Sequence, residues 1–347
     1  MLPVRGCRPV GQTAARTSVS EVENSLPLLE ILRIMETARQ CDRREGILLR
    51  QSRGWFSVGG MGQEAMAALA YVLRSDDILF PYYRDRALCL AWGLTLEDMA
   101  LAFFAARDSM SGGRQMPGHY GCWRRNVFSV ATPTASQCLP AAGAAWGLKM
   151  EGADRVVLCT VGDAALRQGE YYEAVAFAIQ EQLPLVLVVE DNFYGISTCT
   201  DRYNPYRLGV LDMSRVSRIN GRDVVAVYEN GLQAVERARR GQGPTVLWCE
   251  MDRLCPHTSS DDDRVYRTEE DIRAMHERDP ITTLAASLIG EGVLTEEEWE
   301  AVRAEIAEEV EQAYQRGMRA ARPEVEKASQ HVYAVPQGVP PLPPAVQ

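Results

Sequence analysis

Short apolar runs and longer amphipathic stretches alternate along this chain. Residues 156–161 and 185–189 are apolar runs of strand length, the first with a single threonine, and between about 168 and 182 the apolar residues recur three and four positions apart. Both runs end in polar loops, Gly162-Asp163-Ala164 after the first and Asp191-Asn192 after the second. The pattern predicts strand, loop, helix, strand and loop, which is the repeating unit of a parallel sheet.

The remaining pattern predicts one large α/β domain. Helical spacing predicts helices at residues 28–44, 62–73, 96–106, 141–150, 231–240, 268–278, 281–289 and 295–319, and apolar runs predict strands at 224–228 and 245–251. Strands that alternate with helices favour a doubly wound, mostly parallel sheet with helical additions. We expect this domain over residues 21–330, a disordered or targeting extension at residues 1–20, and a Pro-rich tail or linker at residues 331–347.

The charge balance narrows the choice of partners. The chain of 347 residues has a net charge of −10, which argues against nucleic acid or an anionic membrane surface as the main partner. No apolar run approaches the ~20 residues that span a membrane. Because the net charge is negative, binding of an anionic ligand requires arginine or histidine side chains placed locally in loops. Nine cysteines without a C-x-x-C pair are typical of buried reduced thiols in a reducing compartment.

Oxygen ligands follow both central strands. Asp163 and Asn192 stand where two parallel strands are predicted to end, and open α/β sheets bind ligands at that edge. A carboxylate and an amide suit Mg²⁺, which prefers oxygen ligands and keeps positions open for substrate phosphates. The spacing favours a metal–diphosphate site over the alternative, which is two ordinary βα loops with Asn192 as a turn residue.

These residues resemble the thiamine-diphosphate motif, Gly-Asp-Gly followed further along the chain by Asn-Asn. Four other segments stand in the same order as in the α subunit of the decarboxylating component of 2-oxo acid dehydrogenase complexes: residues 80–85, 113–121, 131–137 and 256–263. The chain is similar to that family, and most of all to its branched-chain members, from about residue 28 to residue 335.

The resemblance implies a thiamine-diphosphate-binding fold and its ligands. Mg²⁺ would be held by the side chains of Asp163 and Asn192 and by the backbone carbonyl of Tyr194. The cofactor-binding residues that it implies are Tyr83, Arg84, Thr132, Thr134, Gly162, Asp163, Ala164, Ala165, Asn192 and His257.

Two histidines are the catalytic candidates that the resemblance adds. His257 would lie beside the cofactor, near its phosphate or its reacting centre, and His119 would line the substrate entrance. A histidine in an ordinary turn is the alternative for His119. The resemblance also implies a K⁺ site, with oxygens from Pro133, Ser136 and Gln137.

The chain departs from the family pattern around the metal motif. Ala164 replaces the third motif glycine, which is tolerable only if its φ is negative. Asp191 replaces the first Asn, and Glu190 stands where branched-chain relatives carry a phosphate-binding Arg. We expect these two extra acids to weaken diphosphate binding. For Arg84, a surface ion pair with Asp85 is the alternative to a phosphate contact.

The implied reaction is oxidative decarboxylation of a small 2-oxo acid, branched-chain or pyruvate, with acyl transfer to a lipoyl group. The implied partners are a β subunit, which brings the acid–base Glu to a heterotetramer, and a lipoyl-bearing acyltransferase. A related thiamine carboligase or acetoin-type dehydrogenase is a second interpretation, and a degenerate structural or regulatory relative is a third. The resemblance favours the bacterial cytoplasm as the location, with the mitochondrial matrix as the alternative.

Overall fold

The computed structural model describes residues 26–201, 203–212 and 216–327. The predicted extension at residues 1–20 and the predicted tail at residues 331–347 lie outside the described residues, and the domain boundaries stay predictions. None of the described helices combines the length and apolar character needed to cross a bilayer. Seven cysteines in the described part carry free thiols, and five of these are buried.

A five-stranded parallel sheet forms the centre of the molecule. Its strands are β1 (Ile78–Phe80), β2 (Val157–Gly162), β3 (Leu185–Asp191), β6 (Val216–Asn220) and β7 (Thr245–Glu250), and β4 (Tyr194–Gly195) and β5 (Thr198–Cys199) form a separate small antiparallel hairpin. The order across the sheet is β1-β2-β3-β7-β6. Every neighbouring pair is parallel, so all five strands point their carboxyl ends at one edge.

Helices cover both faces of this sheet. The α-helices are α1 (Leu28–Arg50), α2 (Arg86–Ala91), α3 (Leu96–Phe103), α4 (Cys138–Glu151), α5 (Gly169–Gln180), α6 (Val224–Arg239), α7 (Glu269–Glu277), α8 (Pro280–Gly290) and α9 (Glu296–Arg319). Short 3₁₀ helices occupy Glu64–Val72, Trp123–Arg125, Asp163–Arg167, Asp263–Val265 and Val325–Lys327. Pro280 begins α8 behind the capping residue Asp279, and Thr295 caps α9.

Alternate residues of the central strand enter different cores. Val186 and Val188 pack into a core shared with α1 and α6, whereas Leu187 and Val189 pack into a second core with α4 and α5. All four are fully buried. A strand buried on both faces explains the unbroken apolar run in the sequence, and the doubly wound α/β fold is confirmed.

One predicted strand is wrong. Residues 224–228 begin helix α6, and the edge strand is the more polar Val216–Asn220. The β-branched run was misleading because Asp223 caps the helix, with its carboxylate accepting the backbone N–H groups of Val225 and Ala226.

Candidate active site

The carboxyl edge of the sheet opens onto a cavity of about 290 Å³. Because β1, β2 and β3 are parallel neighbours, the loops that follow them leave from this edge. Eleven of the predicted site residues line the cavity: Tyr83, Arg84, Thr134, Gln137, Gly162, Asp163, Ala164, Ala165, Asn192, Tyr194 and His257. Thr132, Pro133 and Ser136 are not part of its wall, although they belong to the same loop as Thr134 and Gln137.

Asp163 presents a buried carboxylate to this cavity. It starts the 3₁₀ helix that follows β2, and its Oδ2 accepts the hydroxyl of Thr200. Burial raises the pKa of Asp163, and its hydrogen-bond partner Thr200 is uncharged. A buried carboxylate without a cationic partner is costly, so the site fits a bound metal ion.

Asn192 and Tyr194 complete the oxygen donors at the end of β3. Asn192 is buried, and its side-chain oxygen accepts the backbone N–H of Tyr194 at 3.3 Å. Within the described residues no cluster of three or more His, Cys, Asp or Glu could hold a metal ion. A mixed set of one carboxylate, one amide and one carbonyl fits a hard cation that also binds ligand phosphates.

The methyl group of Ala164 has a matching gap opposite it. The φ of Ala164 lies outside the left-handed region, which meets the condition set by the sequence. A Cβ built on Gly195 would lie 2.6 Å from the Cβ of Ala164. The glycine of the β4–β5 hairpin therefore leaves the room that the alanine fills.

Neither extra acid lines the cavity. Glu190 is fully buried, and burial followed by the nearby Asp85 carboxyl raises its pKa well above the usual range, which favours its neutral form. Asp191 accepts the backbone N–H of Phe193 at 3.0 Å and the indole N–H of Trp248 at 2.9 Å. Burial and then the charge of Asp163 raise the pKa of Asp191 to about 8. The two acids thus add little negative charge to the cavity.

Arg84 is a buried cation without an acidic hydrogen-bond partner. Its Nη1 donates to the carbonyl oxygen of Gly59 at 2.5 Å, and its Nη2 donates to the carbonyl oxygen and ring Nδ1 of His257, both at 2.9 Å. The carboxylate of Asp85 instead accepts the backbone N–H of Tyr82 and the hydroxyl of Thr160. The predicted alternative, a surface ion pair of Arg84 with Asp85, does not form.

His257 is held as a neutral ring. Burial, then the charges of Arg84 and Arg253, lower its pKa to about 4. Because its Nδ1 accepts a hydrogen bond from Arg84, the ring proton resides on Nε2. The ring can therefore donate a hydrogen bond from Nε2 at the cavity wall.

Arg253 holds the loop that carries His257 and was missed by the sequence reasoning. Its Nη2 donates to the carbonyl oxygen of Ile196 at 2.9 Å and to the hydroxyl of Tyr266 at 2.8 Å. That hydroxyl donates to Asp261, which also accepts the backbone N–H of His257 at 2.7 Å. The sequence did contain a signal, because Arg253 is a cation three residues after the end of β7, at the carboxyl edge of the sheet.

The predicted K⁺ ligands are only partly brought together. The hydroxyl of Ser136 donates to the carbonyl oxygen of Pro133 at 2.8 Å, so these two oxygens are adjacent. The amide nitrogen of Gln137 donates instead to the carbonyl oxygen of Thr160 at 2.9 Å. A K⁺ site here stays a prediction.

His119 lies in a second cavity of about 230 Å³. Its ring stacks on Tyr83, with 6.0 Å between the ring centroids, so it adjoins the first cavity through that side chain. Burial lowers the pKa of His119, and Nδ1 donates to the carbonyl oxygen of Pro117 at 3.1 Å. Its role at a substrate entrance stays a prediction.

Comparison of the sequence with known proteins identifies a family and several relatives. The family model described as dehydrogenase E1 component matches residues 32–326. The 2-oxoisovalerate dehydrogenase subunit alpha of Bacillus subtilis (strain 168) is 35% identical over 315 residues, which cover 88% of this chain and 95% of that protein.

Two further relatives extend the comparison. The pyruvate dehydrogenase E1 component subunit alpha of Staphylococcus epidermidis is 33% identical over 278 residues, 78% of this chain and 72% of that protein. The mitochondrial 2-oxoisovalerate dehydrogenase subunit alpha of Homo sapiens is 28% identical over 313 residues, 86% of this chain and 69% of that protein.

Proposed function

Since the chain belongs to the dehydrogenase E1 component family, we propose that it is the α subunit of a 2-oxo acid dehydrogenase that prefers branched-chain 2-oxo acids. The family is thiamine-diphosphate-dependent, and its matched relatives are named for 2-oxoisovalerate and for pyruvate. The branched-chain preference rests on the 35% identity to the 2-oxoisovalerate relative.

The observation that carries the proposal is that oxygen donors and a cation line one cavity. Asp163 and Asn192 offer oxygens, and Arg84 offers a guanidinium. A magnesium diphosphate has a cationic part that suits the oxygens and an anionic part that suits the guanidinium. Asp163, Asn192 and the carbonyl of Tyr194 would hold Mg²⁺, and Arg84 would hold the diphosphate together with Tyr83.

Thiamine diphosphate supplies a nucleophilic carbon and an electron sink for loss of carbon dioxide from a 2-oxo acid. The chain's own contribution is to bind and orient. Tyr82 and Val161 help to enclose the cavity, which limits the access of water to the bound groups. The neutral ring of His257 donates from Nε2 and can hold a phosphate oxygen or a substrate oxygen.

A second chain completes the site in this proposal. Thiamine chemistry needs a carboxylate against the aminopyrimidine, and the family resemblance assigns that group to a β subunit. A lipoyl-bearing acyltransferase then accepts the acyl group. The chain alone is therefore expected to be inactive, and the working unit is expected to contain two α and two β chains.

Equilibrium dialysis of the assembled α–β complex tests the cofactor site. We expect thiamine diphosphate to bind tightly only with Mg²⁺, and we expect Asp163→Ala to weaken this Mg²⁺-dependent binding. Metal-independent or absent binding by a folded complex would favour the degenerate relative instead. The position of Glu190 and Asp191 outside the cavity wall removes the main motivation for that alternative.

A further inference from the structure

The backbone turn Gly59-Gly60 contacts Arg84, the arginine of the proposed cofactor site. The carbonyl oxygen of Gly59 accepts Nη1 of Arg84, whose Nη2 contacts His257. A Cβ at Gly60 would lie 2.4 Å from the carbonyl oxygen of Arg84, so the two backbones are in close contact. The turn Gly59-Gly60 therefore sets the position of the guanidinium as well as that of the adjacent main chain.

Asp42 of α1 holds this turn. Its Oδ2 accepts the backbone N–H of Gly60 at 2.8 Å, and its Oδ1 lies 3.2 Å from Nε of Arg86. The side chain is buried. Asp42 and Gly59 line a separate groove of about 900 Å³, whereas Arg84 lines the cofactor cavity. The turn separates the two spaces, and Asp42 is not part of the cavity wall.

We propose that Asp42 is a positioning residue that fixes the turn Gly59-Gly60, and through it the guanidinium of Arg84 and the ring of His257. The inference rests on the proposed contact of Arg84 with the cofactor diphosphate. Without an acceptor at position 42, the Gly60 N–H is left buried and unpaired. The guanidinium then loses its fixed support and must be ordered by the ligand, which lowers affinity.

An uncharged oxygen at position 42 is expected to accept the Gly60 N–H as effectively as the carboxylate does. Burial raises the pKa of Asp42 to about 7, with Arg86 opposing the rise and Glu45 adding to it. A protonated carboxyl is thus part of its normal state near neutral pH. Its oxygen accepts the Gly60 N–H in either form, so Asp42→Asn keeps the contact.

Three variants of the assembled α–β complex test the proposal. We expect Asp42→Leu to raise the dissociation constant of thiamine diphosphate, with Mg²⁺, about 10- to 100-fold, since a buried donor loses its only acceptor. At saturating cofactor, kcat should stay within about threefold because Asp42 touches no reacting group. Asp42→Asn should keep the dissociation constant within about threefold of the unaltered complex.

Glu45→Gln is the matched control. Glu45 lies on the same helix and contacts the same arginine, with its Oε1 at 2.8 Å from Nη2 of Arg86, but it does not touch the turn. We expect it to lower the melting temperature and leave cofactor affinity within about threefold. If Asp42→Leu fails to fold, Asp42→Ala replaces it, with a smaller effect because water in the groove can reach the Gly60 N–H.

Hydrogen exchange on the chain without cofactor keeps this inference distinct from the proposed function. We expect faster amide exchange at residues 59–60 and 255–261 in Asp42→Leu than in Glu45→Gln. A complex that binds no thiamine diphosphate, but shows this exchange pattern, refutes the proposed function and retains the positioning role. Equal exchange and equal cofactor affinity in the Leu and Gln variants would overturn the positioning role.

Discussion

Replacing Gly195 by alanine should introduce a methyl group into space that the side chain of Ala164 already occupies. Its Cβ would lie 2.6 Å from the Cβ of Ala164, and the next nearest atoms are Cγ2 of Thr200 at 3.8 Å and Cα of Ala164 at 3.9 Å. The clash is therefore with a single methyl group. The φ of Gly195 lies outside the left-handed region, so the substitution adds no backbone strain of its own.

The magnitude follows from the cost of overpacking. An extra methyl in a packed interior costs about 1–3 kcal/mol, because the neighbours must shift. Ala164 is exposed and Gly195 is half-buried, so the neighbours can shift more easily, and we expect Gly195→Ala to lower the free energy of unfolding by about 1 kcal/mol. In an Ala164→Gly background the clash is absent, so the same substitution should cost close to nothing. Ala164→Gly alone should cost roughly 0.5–1 kcal/mol, since glycine loses more backbone entropy on folding.

Urea unfolding of the four chains measures this coupling as a double-mutant cycle. An interaction energy of about 1 kcal/mol between positions 164 and 195 would show that the two methyl groups compete for the same space. Equal costs of Gly195→Ala in both backgrounds would refute a clash between the two methyl groups, because the Cβ of Ala164 would then not be the cause of the cost. Thiamine diphosphate affinity of the α–β complex should follow the same pattern, since both residues line the cavity.

Three further predictions follow from the charges around the site. Glu190→Gln should leave cofactor affinity within about threefold in equilibrium dialysis, because the carboxyl does not line the cavity and burial favours its neutral form; a larger loss would show that its charge matters. Asp163→Ala should weaken Mg²⁺-dependent retention of the cofactor at least about 100-fold, as loss of a metal ligand does, and an unchanged dissociation constant would remove Asp163 from the metal site. For Asp252, burial opposes ionisation, but hydrogen bonds from Arg278 and Arg222 outweigh it and lower its pKa. Its ionised form therefore stabilises the fold above about pH 4 and this stabilisation is lost as the pH falls through its lowered pKa, so Asp252→Asn should flatten the acid side of the urea stability profile.

The three inner strands of the sheet, and the position of the polar motif at their carboxyl ends, were predictable because their signals are local, whereas the edge strands β1 and β6 were not predicted. An unbroken apolar run identifies a strand buried on both faces, and Asp163 and Asn192 follow two such strands directly. Parallel pairing then brings their loops to one edge without further information. The confirmed fold class and family followed from this arrangement together with the short motifs.

Other features depend on partners far away in the chain. The run at 224–228 has strand-like composition, but packing against the 3₁₀ helix Glu64–Val72 and the cap at Asp223 make it a helix. Asp42 reads as a polar position on an amphipathic helix, yet it is buried against Arg86 and the glycine turn. Arg253 has one partner far before it in the chain, Ile196, and one after it, Tyr266. Such roles appear only when the tertiary contacts are known.

Carbon dioxide release by the chain assembled with its β subunit tests the central claim most directly. The complex would be supplied with Mg²⁺, thiamine diphosphate, an artificial electron acceptor and a panel of branched and straight 2-oxo acids. We predict release from 2-oxo acids, fastest from branched substrates, and loss of release in Asp163→Ala. A correctly assembled, cofactor-loaded complex that releases no carbon dioxide from any 2-oxo acid would contradict the account and favour a carboligase.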